Sequence, residues 1–255
     1  MLIDKNITAS IVTYNEDILE LQKSINSFLG YAQSKSLYIL DNSPTNLLKE
    51  KIKGKNIEYV YSKENIGFGR GHNRILEKLN KESKYHLILN PDVSFNPQIL
   101  EKLISQLKKD TQLSMIAPKI VYPDNQLQYT ARKYPTVLEL FYRFTGIFKK
   151  YTNHSEYRNY DLEKLFYPDF IQGSFMLFKT KDLIDLQGFD QRYFMYMEDI
   201  DICRRIDQSK KKKLYFPEVQ IIHTHKKGSS KNLRLFFIHI SSIIKYFTKW
   251  SFSRS

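Results

Sequence analysis

Cysteine is nearly absent from this chain of 255 residues: Cys203 stands alone, so no internal disulfide can form. That excludes a disulfide-stapled secreted scaffold and suits a reducing compartment. No segment approaches the roughly 20 consecutive apolar residues of a membrane span. The start, "MLIDKNITASIVTYN", lacks the basic leader and apolar stretch of a signal peptide, so the expected location is the cytoplasm. Internal repeats, low-complexity tracts and linkers are also missing, which favours one compact domain. Acids are scarce at one end. From Arg204 to Ser255, thirteen Lys and Arg meet only Asp207 and Glu218, so this stretch carries +11 of the net +13. A basic tail on a nearly neutral body points to an anionic partner, membrane or nucleic acid, or simply to a solvated face.

What remains is ordinary globular material, 42% hydrophobic and 14% aromatic. "ITASIVTYN" reads as a buried strand, followed by helical spacing of Ile18, Leu21, Ile25 and Leu29 within Asp17 to Leu29. "SLYILDNS" and "NIEYVYS" are two further strands, and Gly67 to Leu79 a helix opened by a Gly-rich turn. "YHLILNPD" is a fourth strand, with a helix after it from Pro97 to Leu107. Repeated strand–helix units predict a doubly wound α/β sheet. In such sheets ligands bind beyond the C-terminal strand ends, and there "TYN", "DNS" and "NPD" fall. Further on, "SMIAPKIVYP", "LQYTARKYP", "YPDFIQGSFMLFK" and "KKLYFPEVQIIHTH" read as strands, and Thr136 to Lys150 as a helix.

Several segments can carry chemistry, and each has a plain structural alternative. The glycines of "ENIGFGRGHN" let a backbone turn tightly or approach a ligand. Asp92 in "LILNPDV" is either turn chemistry or a ligand for a hard cation over a diphosphate. His223 and His225 share one side of an extended segment. One carboxylate and one histidine suit Mn²⁺ or Mg²⁺ if substrate phosphates supply the other oxygens. In "FMYMEDIDICRR", Glu198 and Asp199 occupy the favourable first turn of a helix, while Asp201 and Arg205 stand at i,i+4 and are expected to pair on its surface. Cys203 reads as core.

In order, "VTYN", "DNS", "NIGFGRGHN", "LILNPD", "GSFMLF", "FMYMEDIDICRR" and "IIHTHKKGSS" resemble the successive motifs of family 2 inverting glycosyltransferases. The likeness is strongest to the rhamnosyltransferase-like branch that builds bacterial cell-surface polysaccharides, and it runs from about Ile7 to Ser230. It implies a GT-A fold: a Rossmann-like, mostly parallel central sheet flanked by helices, with an acceptor-binding second half. The implied division is 1–120 for the nucleotide-sugar half and 121–230 for the acceptor half, with a basic amphipathic helix over 231–255. By the same likeness Thr13, Tyr14, Asn15, Asp41 and Asn42 line the nucleotide, with Asp41 partnering the base, and Gly67, Gly71 and Asn73 lie beside nucleotide and sugar. The family's acidic metal motif stands here as "NPD", so Asn90 replaces its first acid and Asp92 keeps the last. His223 matches the histidine that completes the metal site in some relatives, with His225 as the alternative. Gln172 and Gly173 match the floor of the acceptor site. Asp199 matches the catalytic base and Glu198 its supporting acid.

The chemistry suits these parts. Breaking a sugar–phosphate bond releases a nucleoside diphosphate whose charge Mn²⁺ or Mg²⁺ can neutralise. The attacking hydroxyl needs a base on the opposite face, and no covalent intermediate is required. The expected donor is dTDP-rhamnose, with UDP-hexoses as alternatives, and the expected acceptor a lipid-linked or growing glycan. The tail helix is expected to lie on the inner face of the membrane or to pack against protein. A nucleotidyltransferase would need a Gly-rich, cationic loop after the first strand, which is missing. A nucleic-acid-binding module would leave the strand-end polar clusters without a purpose, so nucleic acid is not an expected partner.

Overall fold

A computed structural model describes residues 6–79, 83–140, 153–224 and 233–251. The first strand, β1 (Ile7–Thr13), is buried along its whole length, as expected of a central parallel strand. Asp17 then caps α1 (Ile18–Leu29): its Oδ1 accepts from the amides of Leu19 and Glu20 at 2.7 and 3.3 Å. The chain continues through β2 (Ser34–Asp41), β3 (Ile57–Tyr61), α2 (Phe68–Leu79), β4 (Tyr85–Leu89), β5 (Val93–Ser94) and α3 (Ile99–Lys109). The later part holds β6 (Leu113–Val121), β7 (Ala131–Arg132), β8 (Phe170–Ile171), β9 (Phe175–Lys179) and α4 (Thr180–Asp185). It ends with α5 (Glu198–Gln208), β10 (Lys212–His223) and α6 (Leu233–Ser251).

One eight-stranded sheet runs in the order β3-β2-β1-β4-β9-β6-β10-β5, and β7 pairs with β8 in a small second sheet. Pairs among β3, β2, β1 and β4 are parallel, as is β6 with β10. The β9 strand runs against both β4 and β6, and β5 against β10. The division expected at residue 120 therefore falls inside β6, and β9 and β10 of the second half complete the sheet of the first.

Alternation along the strands sorts the core onto two faces. On one face Phe175 and Leu177 of β9 and Leu87 and Leu89 of β4 pack under α1 and α3. On the other, Met176, Phe178 and Ile88 pack with Ile202, Cys203 and Ile206 of α5 and with Tyr246 and Trp250 of α6. Cys203 is buried there, as expected of a core thiol.

Three local expectations change. "LQYTARKYP" forms only the two-residue β7. "YPDFIQGSFMLFK" is broken between β8 and β9 at Gln172, Gly173 and Ser174, which puts a loop where strand was expected. Of the helix expected over Thr136 to Lys150, residues 137–140 are helical and 141–150 lie outside the described residues.

Candidate active site

Parallel register brings the strand ends together. Thr13 pairs with Asp41 and Asp41 with Tyr61, so the loops after β1, β2 and β3 leave the same edge of the sheet. Hydrogen bonds join them: Asn42 N donates to Thr13 O at 2.9 Å and Ser62 N to Asp41 O at 2.9 Å. The Ser62 hydroxyl donates to Asn42 Oδ1 at 2.9 Å, and Asn42 Nδ2 donates to Gly67 O at 3.2 Å. Asn15 adopts φ 51, the left-handed region, and its amide donates to Ser43 Oγ at 2.8 Å. Tyr14 is 48% exposed beside it, an open aromatic face at this edge of the sheet.

Asp41 is turned inward. It is 0% exposed; its Oδ2 accepts from Tyr59 OH at 2.5 Å and its Oδ1 from Ser43 N at 2.9 Å. Burial and the hydrogen bond to this carboxylate hold the Tyr59 phenol well above its ordinary pKa. Thr13 is buried too, and its Oγ1 has no partner among the described residues.

The Gly-rich segment divides by role. Gly67, at φ +90, passes so close to Phe194 that a Cβ would lie 2.1 Å from the Phe194 carbonyl oxygen, whereas Phe68 N donates to that oxygen at 3.0 Å. Only glycine allows that approach. Gly71 faces the sheet, where a Cβ would lie 2.7 Å from Val12 Cγ2. The Asn73 amide is bound in both senses to the Phe189 backbone, donating to its oxygen at 2.7 Å and accepting from its nitrogen at 2.8 Å. Gly71 thus packs against β1, and Asn73 anchors the backbone at Phe189.

Asp92 and His223 meet across the sheet because β5 pairs with the end of β10, His223 opposite Val93. Asp92 Oδ1 lies 3.3 Å from His223 Nε2, and both side chains are nearly buried. Gln128 fixes the ring. Its Nε2 donates to His223 O at 2.6 Å, which turns its Oε1 toward His223 Nδ1 at 3.0 Å. Nδ1 then carries the hydrogen, and the Nε2 lone pair faces the Asp92 carboxylate. Two acceptors facing each other call for a proton or a cation between them. Adjacent ligands of an octahedral cation at about 2.1 Å stand about 3 Å apart, so this pair fits Mn²⁺ or Mg²⁺. Among the described residues no group of three or more His, Cys, Asp or Glu could hold a metal. His225 lies outside the described residues.

The acids of α5 approach the same edge. Asp199 Oδ2 accepts from Gly173 N at 3.1 Å and Oδ1 from Ile200 N at 2.8 Å. Ser174 O in turn accepts from Asn90 N at 2.9 Å, two residues before Asp92. At Gly173 a Cβ would make only ordinary contacts, 3.4 Å from Asp199 Cβ and 3.6 Å from the Phe68 ring, so it is the backbone N–H that Asp199 uses. Gln172 is half-buried, with its amide tied to Thr130 O at 3.0 Å. Burial raises the Asp199 carboxyl above its ordinary range, against the pull of its amide donors. Glu198 is pushed up to about 8, by burial first and then by Asp199. Its Oε2 has no partner among the described residues.

Asp201 corrects an expectation. It pairs with Arg205, Oδ2 to Nε at 2.8 Å, but at 0% exposure, not on the helix surface. Lys249 and Trp250 of α6 cover it. The i,i+4 spacing gave the partner and could not show the cover. Gln128 was missed as well, since it stands 95 residues from His223 and no local pattern marks it.

Comparison with known proteins follows the same outline. The model of glycosyl transferase family 2 matches residues 8–183. The N-acetylglucosaminyl-diphospho-decaprenol L-rhamnosyltransferase of Mycobacterium tuberculosis is 26% identical over 187 residues, covering 69% of this chain and 61% of the relative. The chain thus spans about three-fifths of that relative's length. Rhamnosyltransferase WbbL of Escherichia coli K12 is 28% identical over 225 residues, 84% of this chain and 82% of WbbL. Among solved structures, GalNAc-T7 with UDP, GalNAc and Mn²⁺ superposes with a TM-score of 0.66 at 15% identity, covering 87% of this chain and 43% of that one. The Pyrobaculum calidifontis mannosyltransferase PcManGT, with GDP-Man and Mn²⁺, gives 0.60 at 14% identity, covering 87% and 57%. Both neighbours share the GT-A fold found here. With residues 8–183 of its 255 matched, the chain belongs to glycosyl transferase family 2.

Proposed function

We propose that this chain transfers a sugar, rhamnose from dTDP-rhamnose, onto a lipid-linked or growing glycan by a single inverting displacement. One observation carries it: the Asp199 carboxylate and the Asp92–His223 pair belong to one hydrogen-bonded edge, linked through Gly173, Ser174 and Asn90. A base and a cation-holding pair on one edge are what opposite faces of a donor sugar require.

In this reading Tyr14, Asn15 and the loops held by Asn42 and Ser43 receive the nucleotide, with Asp41 acting through Tyr59 and the Ser43 amide. Asp92 and His223 would hold Mn²⁺ or Mg²⁺, which when bound supplies charge neutralisation for the departing diphosphate. Asp199, fixed by the Gly173 amide, accepts the proton of the acceptor hydroxyl. Gln172 and Gly173 border the acceptor, and burial together with the neighbouring Asp199 favours the protonated form of Glu198. A thermal-shift panel of nucleotide-sugars with and without Mn²⁺ tests the donor. The expected result is the largest rise in melting temperature with dTDP-rhamnose plus Mn²⁺. A larger rise with a UDP-sugar would replace the donor.

The outer face of α6 supports a peripheral contact with an anionic membrane. Leu233, Phe237 and Ile244 are 78%, 68% and 61% exposed there, with exposed Arg234 and Lys245 among them. No helix among the described residues is long and apolar enough to cross a membrane. Phe237→Glu with Ile244→Glu should abolish co-flotation with vesicles containing anionic lipid. Unchanged flotation would remove this contact from the proposal.

A further inference from the structure

We infer that α6 is a working part of the catalytic centre: Lys249 and Trp250 grip Asp201 and so position the helix turn that carries Asp199, an inference that rests on the proposed role of Asp199 as base. The grip is specific. Asp201 Oδ1 accepts from Lys249 Nζ at 2.6 Å and Trp250 Nε1 at 3.0 Å, with Tyr193 OH at 3.4 Å. Oδ2 accepts from Arg205 Nε at 2.8 Å. A carboxylate at 0% exposure persists only with such partners, so Asp201 has little freedom to shift, and Asp199 lies two residues away.

The loop leading into α5 is held by the same helix at three earlier points. Lys249 also reaches Asp190 Oδ2 at 2.8 Å, Lys245 donates to Arg192 O at 2.9 Å, and Ser242 Oγ donates to Met195 O at 2.8 Å. Arg205 binds Leu186 O and Gly188 O, each at 2.6 Å, from the other side. This anchoring has a cause in the backbone. Tyr196 and Met197 both adopt φ 70, a left-handed conformation that residues with side chains hold only when their surroundings impose it. Those two residues set the direction in which α5 starts, and hence where Glu198 and Asp199 point. Both α5 and α6 lie beyond the 8–183 span matched by the family model, so this anchoring belongs to the part of the chain that match does not describe.

Lys249 acts on charge as well as position. The charges that act on the acid pair are Asp201 on Glu198 and Arg132 of β7 on Asp199; Asp201 is itself bound by Arg205 of α5 and Lys249 of α6, with Asp190 and Arg192 of the loop beside Lys249. Removing Lys249 leaves the negative charge of Asp201 less balanced. That favours the protonated forms of Glu198 and Asp199, so the acid limb of the rate profile should move to higher pH.

The test uses the full chain with Lys249→Met, Lys249→Arg, Trp250→Phe and, as reference, Asp199→Asn. Lys249→Met should lower kcat about tenfold with the donor KM within about twofold of the native value, since a small misplacement of a reacting group acts on the chemical step. Its acid limb should shift upward, Lys249→Arg should restore most of the rate, and Trp250→Phe should act in the same direction more weakly. If Lys249→Met does not fold, Trp250→Phe decides by the same kcat and pH readouts. Native kcat and pH profile in these variants, with Asp199→Asn inactive, would overturn the positioning role and leave the base in place. So would a loss confined to melting temperature or donor binding. An active Asp199→Asn would instead remove the base, and this inference with it.

Discussion

Asp199→Asn should lower the transfer rate by about a thousandfold and leave nucleotide-sugar binding within about twofold of the native chain. The substitution preserves shape, and an amide oxygen can still accept from Gly173 N, so the loop between β8 and β9 keeps its anchor while the bond from Ile200 N is lost. What disappears is the lone pair that takes the hydroxyl proton. The native rate should also rise with pH through the ionisation of Asp199, and that rise should sit above the ordinary carboxylate range because burial raises this group. Glu198 behaves differently. Burial and the neighbouring Asp199 favour its protonated form, which Glu198→Gln mimics. Its effect at pH 7 should therefore be less than about tenfold, far below that of Asp199→Asn. Full activity in Asp199→Asn with loss in Glu198→Gln would exchange the two roles. Single-turnover transfer and nucleotide-sugar calorimetry on the two variants separate these outcomes.

The strand ends were legible because their signal is local. A buried apolar run ending in polar residues marks both a strand and its mouth, which is why Asn15, Asn42 and Asn90 fall on one edge as the pattern implied. The first helix was legible for a similar reason, its apolar residues recurring at helical spacing, and the second from the Gly-rich turn that opens it; α1 and α2 each begin one residue later than expected, and α3 runs from Ile99 to Lys109. Local pattern fails where partners come from far along the chain. Asp201 has its helical partner at i,i+4, but Lys249 and Trp250 arrive from 48 and 49 residues away. Gln128 reaches His223 only because β6 and β10 lie side by side. Glycine motifs are ambiguous for a different reason. A missing Cβ serves close backbone approach at Gly67 and helix–sheet contact at Gly71, and the letter alone does not separate the two.

Chelation of divalent cations should stop transfer, and Asp92→Asn should lower it by about a thousandfold with a matching loss of Mn²⁺ binding. The argument starts from charge. Asp92 is the one carboxylate of the pair, and the histidine, in the tautomer set by Gln128, offers only a neutral lone pair. Asparagine keeps an oxygen in place but removes the negative charge that favours a hard cation over water. His223→Gln removes one ligand and leaves that charge, so its loss should be smaller. Gln128 supplies the sharpest test, since it is buried and holds His223 from the side away from Asp92. Gln128→Ala frees the ring to rotate or to carry its hydrogen on Nε2, and should weaken Mn²⁺ binding by about 10–100-fold. Raising Mn²⁺ should then recover the Gln128→Ala rate but not that of Asp92→Asn. Titration calorimetry with Mn²⁺ reads the binding directly, apart from turnover. Undiminished activity in EDTA would detach Asp92 and His223 from any cation and leave their 3.3 Å contact as an ion pair that only ties β10 to the end of β4.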